Sequence, residues 1–537
     1  MQEEAQASDH RETEWQLEAP RSGAVESWLQ SRDADKDGLS VGGGREREIN
    51  DRYYDTADWR MWRAGYALRV RELDGLYEAT MKALAPGTSG GLKVRREISE
   101  PLESAGIGAL RDSEGPVGWR LRALAGKEKL EELFEVRTRR VSHTISGPEG
   151  ALGELALDET RIPVSGGDPV EIHRIEIESA GGDSEALEPF VEELRQECGL
   201  GPSETSKFGS GLRARGLTPL GEPDLGPTQV DASLTLGEVA YAVMRRQFAK
   251  FLLHEPGTRL GEDPEELHDM RVASRRLRSA FQSFEAALPA REKRFEPELK
   301  HFAAVLGEVR DLDVQLEQLE GWVSGAPEED RAPLEELREI LLQRRSAARE
   351  RMLAELDSRR YERLVDTLSR MLRLGPSRRN RLARAPVTEA APDLVRHSYQ
   401  RVRKTGDAIW TDSQPEQYHK LRKRGKRLRY LLESLGEVYG KPSHKLVKRM
   451  KTLQDVLGQM QDAEVAEERL RSLAAAGEVS SETAFVMGSV AARHEAEADA
   501  GRGQFPEAYA GVKGKRYKKL EKTMQKSRGE SAPQSGS

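Results

Sequence analysis

The chain has 537 residues, of which 33% are charged, 37% hydrophobic and 6% aromatic, with a formal net charge of −7. That length exceeds what one hydrophobic core can fill and predicts two or three domains with strongly charged surfaces. A single cysteine, Cys198, excludes a disulfide framework and fits a reducing, cytoplasmic setting, and no run of about 18 apolar residues occurs, which excludes a helical membrane span.

The first residues, MQEEAQASDHRETEWQLEAP, are acidic and polar and lack the basic start and apolar core of a signal peptide. The net charge conceals local segregation. KLRKRGKRLR (Lys420–Arg429) carries seven cations and no acid, and KGKRYKKLEK lies near the C-terminus. Acids gather elsewhere, around Glu128–Glu135 and Glu317–Glu339. Such segregation points to a localised polyanion site rather than a general coating of nucleic acid.

From about Glu12 to Arg213 apolar and charged residues alternate. YALRVRE, YEATMKAL, LKVRREIS, LFEVRTRRVSHTI, GELALDE and VEIHRIEIES are separated by the turn signals LDG, APGTSGG, SGPEG and SGGDP. The polar face of these predicted strands is almost entirely Arg, Lys, Glu and Asp. Closed into a barrel with that face inward, they would enclose a tunnel dense in both signs. A lumen of that kind costs too much desolvation unless a charged ligand and metal ions fill it. The alternative is a set of surface salt-bridge ladders.

Within the alternation, Glu12 and Glu14 share one side of a strand, as do Glu176 and Glu178, and Glu154 and Asp158. Clustered carboxylates are hard oxygen donors that suit Mg²⁺ or Mn²⁺. Arg69 and Arg71, Thr80 and Lys82, and Arg95 and Glu97 also share faces; arginine forks grip phosphate bidentately and lysine acts as a point charge. In VRTRR the parity leaves open whether Arg139 or Arg140 faces inward with Arg137. No pattern designates a general base.

GLTPLGEPDLGPTQ (Gly216–Gln229) reads as a Pro/Gly-rich linker, and from about Leu234 to Leu520 the period becomes helical. The Lys-, Ser- and Gly-rich segment after about Glu521 is expected to be disordered. The expected division is therefore a barrel domain over 8–213, a linker over 214–232, a helical domain over 233–520 and a tail over 521–537.

The helical part repeats itself. HDMRVASRRLR at His268 matches HKLRKRGKRLR at His419, and LGEVRDLDV at Leu306 matches LGQMQDAEV at Leu457, both at an interval of 151 residues. On a helix His268, Arg271, Arg275 and Arg278 fall within an arc of about 80°. Leu267, Met270, Leu277 and Phe281 lie on the adjoining arc. The second copy gives His419, Arg422, Lys426 and Arg429, with Tyr418, Leu421, Leu428 and Leu432 inward. Aligned cations repel one another unless a run of phosphates, or acids on neighbouring helices, relieves them.

HDMRVASRRLR followed by LGEVRDLDV resembles the CHAD family, the conserved-histidine α-helical domain, over about Leu234–Leu520. The resemblance implies two antiparallel four-helix bundles whose basic helices line a groove that binds polyphosphate. Carried over by motif, the contacts are His268, Arg271, Arg275, Arg278, His419, Arg422, Lys426 and Arg429. Arg310 in LGEVRD also matches, although its repeat partner is Gln461. YYDTADWRMWRAGYALRVRE (Tyr53–Glu72) resembles the CYTH family, the triphosphate tunnel metalloenzymes. ETEWQ (Glu12–Gln16) stands where that family opens with ExExK, and Lys207 lies where it keeps a late lysine.

Together these imply an α+β multidomain protein: an N-terminal antiparallel β-barrel tunnel with flanking helices, then an all-α domain of duplicated four-helix bundles. Glu12, Glu14, Asp158, Glu176 and Glu178 are the expected metal ligands, and Arg69, Arg71, Lys82, Arg95, Glu97, Arg137 and Lys207 the expected triphosphate contacts. The expected activity is divalent-metal-dependent hydrolysis of inorganic triphosphate or short polyphosphate, with polyphosphate binding by the helical domain. Two departures, Gln16 for the motif lysine and Ser99 for the second glutamate of RxExE, leave a non-catalytic polyphosphate-binding protein as the alternative. RNA or DNA binding ranks lower, since base stacking needs aromatics interleaved with the cations. The expected location is the cytoplasm, including polyphosphate granules; the oligomeric state stays open.

Overall fold

The computed structural model describes residues 7–530 except 20–22, 33–37, 85–90, 149, 165, 181–183, 204, 220–222, 326, 411–412 and 478. Most of the APGTSGG turn, the middle of the predicted linker and the last residues of the predicted tail (531–537) lie outside the described residues. The chain divides into two compact units, Met1–Gly221 and Glu222–Ser537.

The first unit is built from β1 (Ser8–Glu18), β2 (Ser40–Val41), β3 (Arg45–Thr56), β4 (Tyr66–Leu73), β5 (Leu76–Ala83), β6 (Leu92–Leu102), β7 (Leu130–Gly147), β8 (Gly150–Ile162), β9 (Val170–Ser179) and β10 (Gly201–Pro202). Eight of them follow one another around a closed antiparallel barrel in the order β1-β6-β5-β4-β3-β7-β8-β9, and β9 pairs back onto β1 to seal it. Period two decides which side chains enter. On β4, Arg69 and Arg71 point into the lumen, whereas Leu68 and Val70 point out and are buried.

The apolar side therefore lies outside the barrel. Leu17, Ile145, Leu155, Leu157, Ile175 and Ile177 are covered by the helices Gly23–Ser31 and Glu188–Cys198 through Val25, Trp28, Phe190 and Leu194. The helix Pro116–Ala125 packs on β5 and β6, its first turn held by Glu100, which accepts from Val117 N and Gly118 N at 2.8 and 3.0 Å. Each fully buried Leu or Ile stabilises the fold by about 1.5–3 kcal/mol. The ion pairs inside add little net stability, because desolvating both ions offsets their attraction. Asp55 of the YYDT segment is structural, accepting from Met61 N and Trp62 N at 2.9 Å each.

The second unit is helical, and the 151-residue interval is visible in its element boundaries: Leu236–Leu253 with Val387–Gly406, and Pro264–Ser283 with Pro415–Ser434. In the first copy Leu236–Leu253 packs on Pro264–Ser283, then Phe295–Gly325, then Glu328–Leu356. Val387–Gly406, Pro415–Ser434, Lys441–Ala475 and Ser481–Ala510 repeat that succession. The two copies share one core, and a smaller core (Leu319, Leu337, Leu473, Met487) joins the far ends of the long helices. Among the described residues no helix is long and apolar enough to cross a membrane.

Two expected boundaries are corrected. The expected tail from 521 is helical as far as Glu530, because Tyr517, Leu520 and Met524, spaced three and four apart, enter the helical core. The second part of the expected linker is also packed rather than free: Leu225 and Val230 are 5% and 4% exposed in that core, and Arg245 donates to the Pro227 carbonyl at 2.9 Å. A fragment starting at Pro223 should accordingly be more stable than one starting at Leu234. Losing two buried aliphatic side chains costs about 3 kcal/mol or more, and parallel thermal melts of the two fragments check the difference.

Candidate functional site

Six cations from different strands and one helix converge on a lumen cavity of about 270 Å³: Arg69 and Arg71 (β4), Lys82 (β5), Arg95 (β6), Arg140 (β7) and Lys207. Five carboxylates line the same space, Glu12, Glu78, Glu97, Glu176 and Glu178. Lys207 reaches it because Ser206 caps the helix Lys207–Ala214, accepting from Gly209 N at 3.1 Å. Gly211 lets that helix settle on the barrel, since a Cβ there would fall 2.1 Å from the Phe134 ring. Phe208, Tyr53 and Phe134 then pack ring against ring at 5.0–5.8 Å.

The charges are cross-linked. Lys82 pairs with Glu12 and, at 3.4 and 3.2 Å, with Glu14 and Glu97. Arg95 donates to Glu14. Arg140 grips Asp158 at 2.8 and 2.7 Å and also reaches Glu176, and Lys207 contacts both acids. Burial raises the carboxyl of Glu97, yet Lys82 and Arg69 outweigh it and hold that group below the usual carboxylate range. Glu178 behaves in the opposite way. Enclosure, and then the neighbouring charge of Glu12, push its carboxyl up to about 7. It lines the cavity and is itself exposed there.

Of the expected tunnel residues, Glu12, Glu176, Glu178, Arg69, Arg71, Lys82, Arg95, Glu97 and Lys207 line this one cavity. Glu14 is buried beside it, and Asp158 lies beneath Arg140 and Lys207. Arg137 is the exception. Its side chain is 65% exposed and pairs with Glu135 on the outer surface at 3.1 Å. Arg139 is also outside, on Glu46 and Glu159, so the inward arginine of VRTRR is Arg140, in step with Thr138 and facing Asp158 across β7–β8.

Two further residues escaped the sequence reading. Asp51 accepts both prongs of Arg71 at 2.8 and 3.0 Å; burial works against its charge, but Arg71 and Arg69 hold its carboxyl well below the usual range. It shares a strand face with Tyr53, which was the available signal. Arg174 is 1% exposed with two guanidinium nitrogens lacking hydrogen-bond partners.

The substituted motif position has a neighbour that changes its meaning. Gln16 donates to Glu14 at 2.8 Å and accepts from Lys93 Nζ at 2.5 Å. Lys93, on β6, thus brings an ammonium to the place where the motif lysine is missing. Burial, with Arg174 next, lowers its pKa to about 8. Ser99 lines the cavity and pairs with Ser8 at 3.0 Å. Among the described residues no three His, Cys, Asp or Glu side chains are gathered closely enough to hold a metal ion.

In the helical unit the two basic helices Pro264–Ser283 and Pro415–Ser434 touch. Their apolar arcs are buried as expected, and His268, Arg271, Arg275, Arg278, His419, Arg422, Lys426 and Arg429 stay half-exposed. The LG of each second motif has a physical role. Gly307 and Gly458 leave room for the guanidiniums of Arg271 and Arg422, which lie 3.4 and 3.6 Å from where a Cβ would stand. Arg271 pairs with Asp311 at 3.2 Å and Arg422 with Asp462 at 3.4 Å, the same contact in both copies. Arg310 meets Glu265 at 3.5 Å, whereas its counterpart Gln461 bonds His419. Arg275 donates to Tyr430 Oη at 3.0 Å.

Lys426 sits among these cations. Burial, then Arg422 and Arg275, lower its pKa to about 7, with Asp462 opposing. A bound polyanion favours the charged form, so its affinity should fall as pH rises through about 7, and Lys426→Arg, which stays charged, should flatten that dependence. His419 titrates lower, its pKa reduced first by burial. Anion-binding isotherms from pH 6 to 8 (about one unit either side of neutrality) on both proteins check it.

The CYTH family model matches residues 28–210 and the CHAD family model residues 242–471. The chain carries a CYTH domain followed by a CHAD domain. An uncharacterised protein of Mycobacterium tuberculosis strain H37Rv is 26% identical over 470 residues, covering 84% of this chain and 87% of its own. The CHAD domain of the plant Ricinus communis is 25% identical and covers 53% of this chain and 96% of its own, with a TM-score of 0.46. A Hippeastrum protein described as a putative adenylyl cyclase with dominant triphosphatase activity is 22% identical, covering 39% of this chain and 98% of its own, with a TM-score of 0.28. The charged lumen is thus the lumen of a CYTH barrel, and the paired basic helices belong to the CHAD domain.

Proposed function

We propose that the CYTH barrel hydrolyses inorganic triphosphate or short polyphosphate with a divalent cation, Mg²⁺ or Mn²⁺, and that the CHAD domain binds polyphosphate. The observation that carries this reading is the convergence of six cations from five elements on one small lumen. No single phosphate needs so many, whereas a chain of phosphates meets them in succession. Arg69, Arg71 and Arg140 offer planar forks and Lys82 and Lys207 point charges, which together position a phosphate chain and offset charge on its oxygens during transfer.

The chemistry of the lumen carboxylates suits a hard divalent cation, and binding one would require them to leave their cationic partners and draw together, since among the described residues they form no ready-made cluster. Glu12 and Glu14 of β1 and Glu178 of β9 are oxygen donors on paired strands; Lys82 and Arg95 hold the first two, and a cation would relieve the crowding that raises Glu178. When bound there, such an ion would supply charge neutralisation and electrophilic activation of the phosphate. Asp158 and Glu176 are held in the same way by Arg140 and Lys207.

The second reading, a polyphosphate-binding protein without turnover, is favoured by Gln16 and Ser99. Phosphate release from inorganic triphosphate, ATP and long polyphosphate, each with Mg²⁺ and with Mn²⁺, separates the two. Release from triphosphate is expected; tight binding with no release would give the second reading the site. Nucleic acid fits the helices poorly. The aromatic nearest their cations, Tyr430, is 6% exposed and lies against Arg276 and Arg429, leaving no face for a base.

A further inference from the structure

The two copies of the helical repeat are not electrostatically equivalent on their outer flanks. In one place Arg276 meets Glu433 at 3.7 Å and Arg246 meets Glu437 at 3.0 Å, around a cavity of only about 130 Å³. Moving by the 151-residue interval exchanges each partner. Arg276 becomes Arg427, Glu433 corresponds to Gln282, and Glu437 corresponds to Ala286. Both neutralising acids are therefore gone from the related place. One arginine has been added, since Ala273 corresponds to Arg424, while Lys250 corresponds to Arg401 and Arg246 to His397.

The related place is a cavity of about 450 Å³, within the roughly 300–1,000 Å³ range of small-ligand pockets. Arg401, Arg424 and Arg427 line it, and among the described residues no carboxylate stands within ion-pair distance of any of the three. Glu285 at its rim is held by Lys293 at 2.7 Å, and Glu296 acts on Arg427 only from farther away. Ser283 and Ser398 add hydroxyls, and Leu394 and Leu431 form an apolar wall. At 3.6 residues per turn Arg424 lies on the side of its helix roughly opposite Arg422 and Lys426, and Arg427 about a quarter turn from His419. An anion here would not lie in the groove.

We propose that this cavity is a second anion site of the helical domain, one that takes a compact phosphate-bearing ligand. Three guanidiniums without counter-acids match a multiply charged phosphate group, free or attached to an organic moiety lying along the apolar wall. The symmetric cavity is the internal control, being the same architecture closed by two glutamates. The proposal does not depend on hydrolysis in the barrel or on polyphosphate in the groove.

The test is arginine footprinting of the full chain with phenylglyoxal, read by peptide mass spectrometry, in the presence of inorganic triphosphate or of ADP. Modification of Arg401, Arg424 and Arg427 should slow several-fold with at least one ligand. The ligand that protects tells an inorganic from an organic source. Gln282→Glu with Ala286→Glu, which restores the missing acids, should abolish that protection while leaving the modification rates of Arg271 and Arg422, with and without each ligand, as they are in the unsubstituted chain. Arg427→Gln, at an exposed position, should independently reduce protection of Arg401 and Arg424. Equal modification rates with and without both ligands, or protection that survives both variants, would overturn the assignment.

Discussion

Replacing Glu12 and Glu14 together by glutamine should lower phosphate release from triphosphate by about two orders of magnitude or more while leaving substrate affinity intact or improved. A divalent cation contributes several kcal/mol to stabilising charge in transfer, and each 1.4 kcal/mol or so is tenfold in rate. The retention of binding follows from the ion pairs. Glu12 and Glu14 are the acids that Lys82 and Arg95 hold, so removing their charge leaves a more cationic lumen. A merely structural role would instead weaken binding and rate together, with a lower melting temperature. Steady-state kinetics at several Mg²⁺ concentrations distinguish them, and unchanged turnover would remove these two carboxylates from the metal site.

Arg271→Gln and Arg422→Gln should each weaken binding of long polyphosphate about tenfold, and the double variant about a hundredfold. A hydrogen bond to a charged group is worth about 1.5–3 kcal/mol; a hundredfold is the additive value, and any departure from it measures the coupling of the two arginines through Asp462, whose charge acts on both. Each loss should also reduce the salt dependence of log affinity by about one unit of slope, since one fewer phosphate is neutralised. The fold should survive, because Asp311 keeps Arg469 at 2.9 Å and Asp462 is exposed to water. Titrations at several salt concentrations with polyphosphate and duplex DNA at equal phosphate measure both effects. If DNA competes as well as polyphosphate, generic polyanion binding replaces the polyphosphate assignment.

The barrel was readable in the sequence because an inward charge and an outward aliphatic alternate on nearly every strand, so a single parity sorts the residues. That rule failed where charges occupy both parities. Arg137, Arg139 and Arg140 all fit a polar face, and what selects Arg140 is Asp158, a partner on another strand that no local pattern contains. Asp51 was missed for the same reason, since its role is defined by Arg71 across β3–β4. Composition misled at the boundaries. Pro and Gly hide the anchors Leu225 and Val230, and lysines hide the helical spacing of Tyr517, Leu520 and Met524. The repeat was legible in full at its basic helices, because the interval that aligns the motifs also aligns the element ends.

The cross-linked lumen has a thermodynamic corollary. Lys82, Arg95, Arg140 and Lys207 are already paired with the tunnel's own acids, so on the proposed reading an incoming triphosphate would bind by exchange, displacing internal counter-ions rather than neutralising bare cations. The displaced carboxylates are then free to receive a cation. On that reading anion and cation occupancy would be coupled through the same side chains, and by reciprocity each would raise the other's affinity by the same factor. Such a tunnel would hold both ligands together better than either alone.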